Sequence, residues 1–289
     1  MARLSALALF VPHLRLAFQL TLAPIFLWGA LLSGGKATWG SLAAFFSLHL
    51  FLYPAATAFN AVYDKDEGPI GGMEAPPPVP DGLRGFAILL AAAGAVPAAF
   101  AGPAFLLLYG LSIGWSFPYS HPGTRWKSGP WSSAAAIGLG QGAIGFAAGW
   151  AAAAPLGVNL PLLLAGAASA ALTALGLYPV TQFFQAEEDR ARGDISLSVA
   201  LGPARALRFG ALCLAAAGAV SAAIVAWRLG PYDALVVAAG YAGAIAWQLR
   251  LARALGAKEA VSLYRPAMRL LNSATAGFLL FLVWQALAR

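Results

Sequence analysis

Apolar stretches of about 20 residues recur along this chain from end to end, and a helix of that length crosses the hydrocarbon core of a bilayer. Hydrophobic residues make up 60% of the 289 positions and charged residues only 10%, whereas roughly a quarter of a soluble domain is charged. This pattern excludes a soluble globular domain. It predicts an all-α polytopic membrane protein, because helices satisfy their own backbone hydrogen bonds in lipid.

We predict nine transmembrane helices around a central cavity that opens to the cytoplasmic side and to lipid. The spans cover residues 14–33, 41–62, 83–100, 103–119, 131–153, 160–183, 208–227, 232–249 and 269–287. Four prolines inside these spans predict kinks, since proline donates no helical hydrogen bond, and kinked helices leave room for the cavity. They are Pro24, Pro54, Pro97 and Pro179.

Four glycines in the fifth predicted span are spaced for close helix packing. They are Gly138, Gly142, Gly145 and Gly149. Small residues at this spacing let a second helix backbone approach closely in a membrane. We therefore expect this span to pack tightly against its neighbours.

The basic residues lie mostly on one side of the predicted bundle. Fifteen of the 18 Lys and Arg fall at the N-terminus or in the even-numbered loops, and Lys36, Arg228 and Arg289 fall opposite. The positive-inside rule therefore predicts a cytoplasmic N-terminus and an outside C-terminus. All acidic residues except Asp233 also fall on the cytoplasmic side, although carboxylates contribute little to orientation. The one-sided distribution of the carboxylates therefore needs a separate explanation. We expect the active site to lie on the cytoplasmic face.

Two acidic clusters follow the second and sixth predicted spans. They comprise Asn60, Asp64, Asp66 and Glu67 after the second span, and Gln185, Glu188, Asp189 and Asp194 after the sixth. In each cluster an amide precedes an aspartate by four residues, so the two side chains share one helix face. The match suggests that one domain over residues 1–289 contains a parallel repeat of spans 1–4 and 5–8.

The clusters predict a magnesium site. Carboxylates near hydrocarbon repel one another unless they share a cation. Mg²⁺ commonly takes one or two protein carboxylates, waters and phosphate oxygens, so we expect these side chains to hold a metal-bridged polyphosphate. The alternative is that the clusters are solvated loops ordered by local ion pairs, in which Arg190 and Arg192 neutralise their neighbours.

The fourth predicted span ends in Tyr119, and the following loop carries Arg125 and Lys127. Arg binds phosphate oxygens through its fork of N–H groups, and Lys binds them as a point charge. We expect these residues, with Asn60 and Arg15, to bind the substrate. The alternatives are that the loop cations only orient the protein in the membrane and that the Arg15 side chain extends to the membrane surface.

The constellation resembles the UbiA family of intramembrane prenyltransferases over most of the chain. The matching residues are Asn60 and Asp64 in the first acidic motif, Tyr119, Ser120, Arg125 and Lys127 in the intermediate loop, and Asp189, Gly193, Ser196, Leu197 and Gly202 in the second. Two positions depart from the family pattern, since Gly68 and Gln185 stand where it has aspartates. The resemblance is therefore to a divergent subgroup.

The resemblance implies Mg²⁺-dependent transfer of a prenyl group from a polyprenyl diphosphate to an aromatic or other lipophilic acceptor. The resemblance also implies that the reaction releases diphosphate and that Asp64 and Asp189 are the catalytic residues. It implies a role in quinone or related isoprenoid biosynthesis. The expected partners are the prenyl diphosphate, a small lipophilic acceptor and membrane lipid, but no nucleic acid. We expect an integral protein of a bacterial or archaeal plasma membrane.

Two other function classes fit a membrane bundle with an acidic site. A non-catalytic transporter or isoprenoid-binding protein on the same scaffold stays open as an alternative. A phospholipid-type alcohol phosphotransferase also uses membrane carboxylates and Mg²⁺, but its Asp-Gly-x-x-Ala-Arg signature does not occur in this sequence.

Overall fold

The computed structural model describes residues 2–288, and its regular elements are helices. Helices α1 to α8 are Ala2–Leu14, Leu16–Gln19, Ala23–Ser33, Trp39–Phe46, Tyr53–Asp64, Leu83–Ala93, Ala95–Phe100 and Pro103–Ser120. Helices α9 to α16 are Pro130–Ala135, Gly145–Ala151, Leu160–Leu177, Ala186–Arg192, Leu197–Leu201, Pro203–Arg228, Pro231–Ala254 and Tyr264–Leu287. Short 3₁₀ or π-helical stretches join several of them.

Eight segments of the described chain are long and apolar enough to cross a membrane. They are Leu7–Ser33, Trp39–Asp64, Leu83–Phe100, Pro130–Ala151, Leu160–Ala191, Pro203–Arg228, Pro231–Ala254 and Val261–Leu287. The predicted span over residues 103–119 corresponds to helix α8, which is not among these eight segments, so the count of nine transmembrane helices stays a prediction. The predicted all-α polytopic membrane fold is confirmed.

The spans are interrupted where the prolines predict kinks. Pro24 and Pro54 each lie in the first turn of an α-helix that follows a 3₁₀ or π-helical stretch. Pro97 lies just beyond the break at Gly94 between α6 and α7. Pro179 lies in a 3₁₀ turn at the end of α11. Irregular backbone at these points is tolerated where neighbouring protein covers it.

Glycines bring three helical segments into backbone contact. A Cβ added at Gly149 would lie 1.8 Å from the carbonyl oxygen of Phe26, and one added at Gly142 would lie 2.4 Å from Cα of Ala171. Gly145 is less crowded, since its added Cβ would meet no neighbour closer than 3.4 Å. The predicted close packing is therefore confirmed at Gly142 and Gly149. It holds the helices that surround the cavity close to one another.

We expect Gly149→Ala to lower the free energy of unfolding by about 1–3 kcal/mol, because α3 and α10 would have to separate to admit the methyl group. The measurement is the thermal unfolding midpoint of the purified protein in detergent. Gly110→Ala is the matched control, since a Cβ added at this helical glycine meets no atom within 4 Å. Equal midpoints for the two variants would contradict the close approach of these helices.

Candidate active site

A central cavity of about 590 Å³ connects the polar end of the bundle with its apolar interior. The predicted site residues that line it are Arg15, Asn60, Asp64, Asp66, Tyr119, Lys127, Gln185, Asp189 and Asp194. The other predicted site residues, Glu67, Arg125 and Glu188, do not line this cavity. Both acidic clusters and the intermediate loop thus converge on one site, although they come from distant parts of the sequence.

The intermediate loop is fastened to the first acidic cluster. Asp64, at the end of α5, forms an ion pair with Lys127. Asn60 lies one turn earlier on the same helix, and its Oδ1 accepts hydrogen bonds from Lys127 Nζ, at 3.2 Å, and from the Ser120 hydroxyl. The shared helix face predicted for Asn60 and Asp64 therefore turns toward one basic side chain.

The same loop also binds the second acidic cluster. Arg125 donates two hydrogen bonds to Asp194, from Nε to Oδ1 at 2.8 Å and from Nη2 to Oδ2 at 2.7 Å. Its Nη2 lies 3.8 Å from Asp64 Oδ1. Asp194 is only 5% exposed, so this paired geometry satisfies a carboxylate that has lost most of its water. Arg125 therefore connects the carboxylates of Asp194 and Asp64, and its role in substrate binding stays a prediction.

Arg192 joins the two acidic clusters directly. Its Nη1 donates to the backbone carbonyl of Asp64 at 2.6 Å and to Asp66 Oδ1 at 2.8 Å, while Nη2 donates to Asp189 Oδ1 at 3.3 Å. The Ser196 hydroxyl donates to the other carboxylate oxygen of Asp189 at 2.8 Å. From the sequence, Arg192 entered only the alternative of local ion pairs, which its contact with Asp189 fits, and its contacts with Asp64 and Asp66 were not predicted. Its spacing from Asp189 was visible, but its contact with the first cluster depends on tertiary structure.

Glu188 accepts hydrogen bonds from the backbone of the first cluster. Its carboxylate binds the N–H groups of Glu67 and Gly68 at 2.9 and 3.3 Å, and the Glu67 side chain is exposed. A Cβ added at Gly68 would lie 2.9 Å from Glu188 Oε2. The departure from the family pattern at Gly68 therefore permits a tight carboxylate contact. The Glu188 carboxylate thus links the two clusters through the backbone of Glu67 and Gly68, and the assignment of Glu67 and Glu188 as metal ligands stays a prediction.

Desolvation controls the charges at this site. Burial raises the pKa of the Asp66 carboxyl, although the hydrogen bond from Arg192 acts in the opposite direction. Burial lowers the pKa of the Lys127 ammonium to about 7, although the nearby carboxylate of Asp194 acts to raise it. Each buried charge therefore depends on a neighbour of opposite sign.

The cavity offers oxygen ligands of the kind that Mg²⁺ prefers. Across residues 2–288, no group of three or more His, Cys, Asp or Glu side chains is placed to hold a metal by itself. Asp64, Asp189 and the amide of Asn60 nevertheless face the same cavity. Because Mg²⁺ usually keeps waters and takes substrate phosphate oxygens, these residues fit a metal that a bound polyphosphate helps to hold.

Comparison with known proteins identifies the family. The UbiA prenyltransferase family matches residues 22–274 of the chain. The chain belongs to this family. No curated protein sequence matches it at a significant level.

Solved structures of UbiA homologues share the fold. The homologue from Archaeoglobus fulgidus bound to GPP and Mg²⁺ is 17% identical, covers 95% of this chain and 99% of its own, and superposes with a TM-score of 0.69. The apo homologue from Aeropyrum pernix K1 is 22% identical, with coverage of 90% and 97% and a TM-score of 0.62. A digeranylgeranylglyceryl phosphate synthase is 16% identical, with coverage of 99% and 100% and a TM-score of 0.63.

We expect Arg192→Gln to destabilise the protein, on the order of 1–3 kcal/mol, because Asp66 and Asp189 would lose the cation between them. Part of this loss should be recovered by millimolar Mg²⁺, which can screen the same carboxylates. Thermal unfolding in detergent, with and without Mg²⁺, measures both effects. Arg190→Gln, which changes an exposed residue on the same helix, is the control. Equal midpoints for the two variants would show that Arg192 does not hold the clusters together.

Proposed function

We propose that the protein transfers a prenyl group from a polyprenyl diphosphate to a lipophilic acceptor with the help of Mg²⁺. The observation that carries this proposal is the convergence of both acidic clusters and a basic loop on the polar end of a cavity whose other walls are mainly apolar. A prenyl diphosphate has the same division, with a strongly anionic head and a hydrocarbon tail. Family membership and the homologues bound to GPP or DMAPP with Mg²⁺ support the assignment.

The diphosphate head is assigned to the polar end. Arg15 and Lys127 supply positive charge there, and Asp64, Asp189 and Asn60 would hold Mg²⁺ against the phosphate oxygens. Arg15 donates to the carbonyl of Gly71 at 3.3 Å, and its Nε is buried without a hydrogen-bond partner among the described residues. When bound, Mg²⁺ would neutralise charge on the leaving diphosphate.

Cleavage of the allylic carbon–oxygen bond leaves a diphosphate with added negative charge and an electron-poor prenyl carbon. Lys127, now paired with Asp64, can exchange this partner for a phosphate oxygen as the charge develops. The apolar walls exclude water that would otherwise capture the prenyl carbon. Tyr119 and Tyr178, whose hydroxyls lie 3.2 Å apart, place aromatic rings in the same wall near Asp189.

We assign the acceptor to an aromatic or other lipophilic molecule dissolved in the bilayer, within quinone or related isoprenoid biosynthesis. The apolar lining of the cavity supports a lipophilic acceptor. We place the polar end on the cytoplasmic side of a bacterial or archaeal plasma membrane. The predominance of basic residues in the N-terminus and the even-numbered loops supports this orientation.

We expect Asp64→Asn and Asp189→Asn each to reduce Mg²⁺-dependent diphosphate release by about 100-fold or more, because each removes a charge that would hold the metal at the leaving group. The assay incubates purified protein with labelled GPP, Mg²⁺ and a panel of phenolic and lipid-alcohol acceptors. Removal of Mg²⁺ by EDTA should have the same effect on the unmodified protein. Asp81→Asn, which changes an exposed loop carboxylate, is the matched control.

Full turnover by either site variant would reject the assignment. The rival class, a transporter or isoprenoid-binding protein on the same scaffold, has a different signature in the same assay. It would retain labelled GPP in a Mg²⁺-dependent manner but release no diphosphate with any acceptor.

A further inference from the structure

The apolar part of the cavity forms a channel that we call the tail arm. It lies between α3, α11, α15 and α16, and its walls include Ile25, Ala170, Gly240, Ala274 and Gly277. On α16 the cavity-lining residues extend from Leu270 to Phe281. At 1.5 Å per helical residue this distance is about 16 Å, so the arm reaches well into the membrane interior.

Three packed aromatic side chains lie deepest among the lining residues of α3 and α16. Trp28 is the deepest lining residue of α3, and Phe278 and Phe281 are the deepest of α16. The ring centroids of Trp28 and Phe278 are 5.7 Å apart, and those of Phe278 and Phe281 are 5.9 Å apart. Trp28 Nε1 also donates to the Ser169 hydroxyl at 3.2 Å, which fixes the indole in place. These three residues, called the aromatic floor, lie at the deep end of the arm.

We propose that the aromatic floor sets the longest prenyl tail that the enzyme accepts. This inference rests on the proposed function, because it assigns the arm to the hydrocarbon tail of the donor. A tail that leaves lipid for an apolar protein channel gains little hydrophobic free energy, since both surroundings are apolar. Tail length is therefore selected by steric fit. A tail longer than the arm would have to displace packed rings, and overpacking of this kind is costly.

Two glycines in the arm wall provide an independent way to shorten it. Gly240 and Gly277 line the cavity, and a Cβ added at either position would meet no atom within 4 Å. Both lie inside regular helices, where leucine fits the backbone. A larger side chain at Gly240 therefore enters the space of the arm without displacing a neighbouring element.

The test compares Phe278→Ala with Gly240→Leu against a series of prenyl diphosphates of increasing length, from dimethylallyl diphosphate upward. Binding is measured with Mg²⁺ by displacement of labelled GPP, and diphosphate release is measured in parallel. One donor in the series is the shortest whose tail is too long for the unmodified protein. Phe278→Ala should bind that donor about tenfold more tightly than the unmodified protein does. Gly240→Leu should weaken the longest accepted tail about tenfold relative to dimethylallyl diphosphate.

Matched controls are available on the same two helices. Leu280→Ala and Ala238→Leu change exposed residues that do not line the cavity, and neither should alter the length profile. If Phe278→Ala does not fold, Phe278→Leu, which removes less volume from the floor, replaces it with the same expected direction, while Gly240→Leu tests the assignment of the arm to the tail. An unchanged length profile in folded variants that bind donors would overturn the assignment of the floor. Failure of the unmodified protein to bind any donor with Mg²⁺ would instead overturn the proposed function.

Discussion

The polar end of this membrane bundle depends on ion pairs that cross between the two acidic clusters. A carboxylate placed at the edge of hydrocarbon is unstable unless a cation compensates for its lost hydration. Here Asp64 pairs with Lys127, Asp194 with Arg125, and Asp66 with Arg192. The partners come from the end of α5, the loop after α8 and the residues around α12. The interactions that stabilise the charges therefore also hold separate helix ends around one cavity.

The composition of this network explains how the chain departs from its family pattern. A bound diphosphate with Mg²⁺ requires negative ligands for the metal and positive ligands for the phosphate, both close together. The cavity-lining carboxylates of Asp64 and Asp189 meet the first need, and Arg15 and Lys127 meet the second. Gly68 carries no carboxylate, so the glutamate at position 188 can approach its backbone instead of facing a like charge. The departure at Gly68 is thus compatible with a site in which carboxylates and cations are nearly balanced.

Periodic and local features of the fold could be predicted from the sequence. Apolar runs long enough to cross a bilayer gave the spans, and Pro24 and Pro179 marked places where helices break. The convergence of Asp64 and Asp189 followed from their matched positions at the ends of two spans. Contacts between distant side chains were not predictable in this way. The bridge from Arg192 to Asp66 depends on how α12 lies against the loop after α5, and no spacing in the sequence encodes that orientation.

The tail arm could not be predicted from the sequence, for a related physical reason. In lipid, apolar side chains face both the bilayer and the interior, so hydrophobicity does not distinguish a cavity wall from a lipid-facing surface. In the sequence Trp28 and Phe278 resemble ordinary core residues, and only the structure shows that they line a cavity and pack against each other. The polar end, in contrast, is made of charges that cannot face lipid without high cost, and charge is rare in this sequence. The head group of a substrate is therefore easier to infer from sequence than the length of its tail.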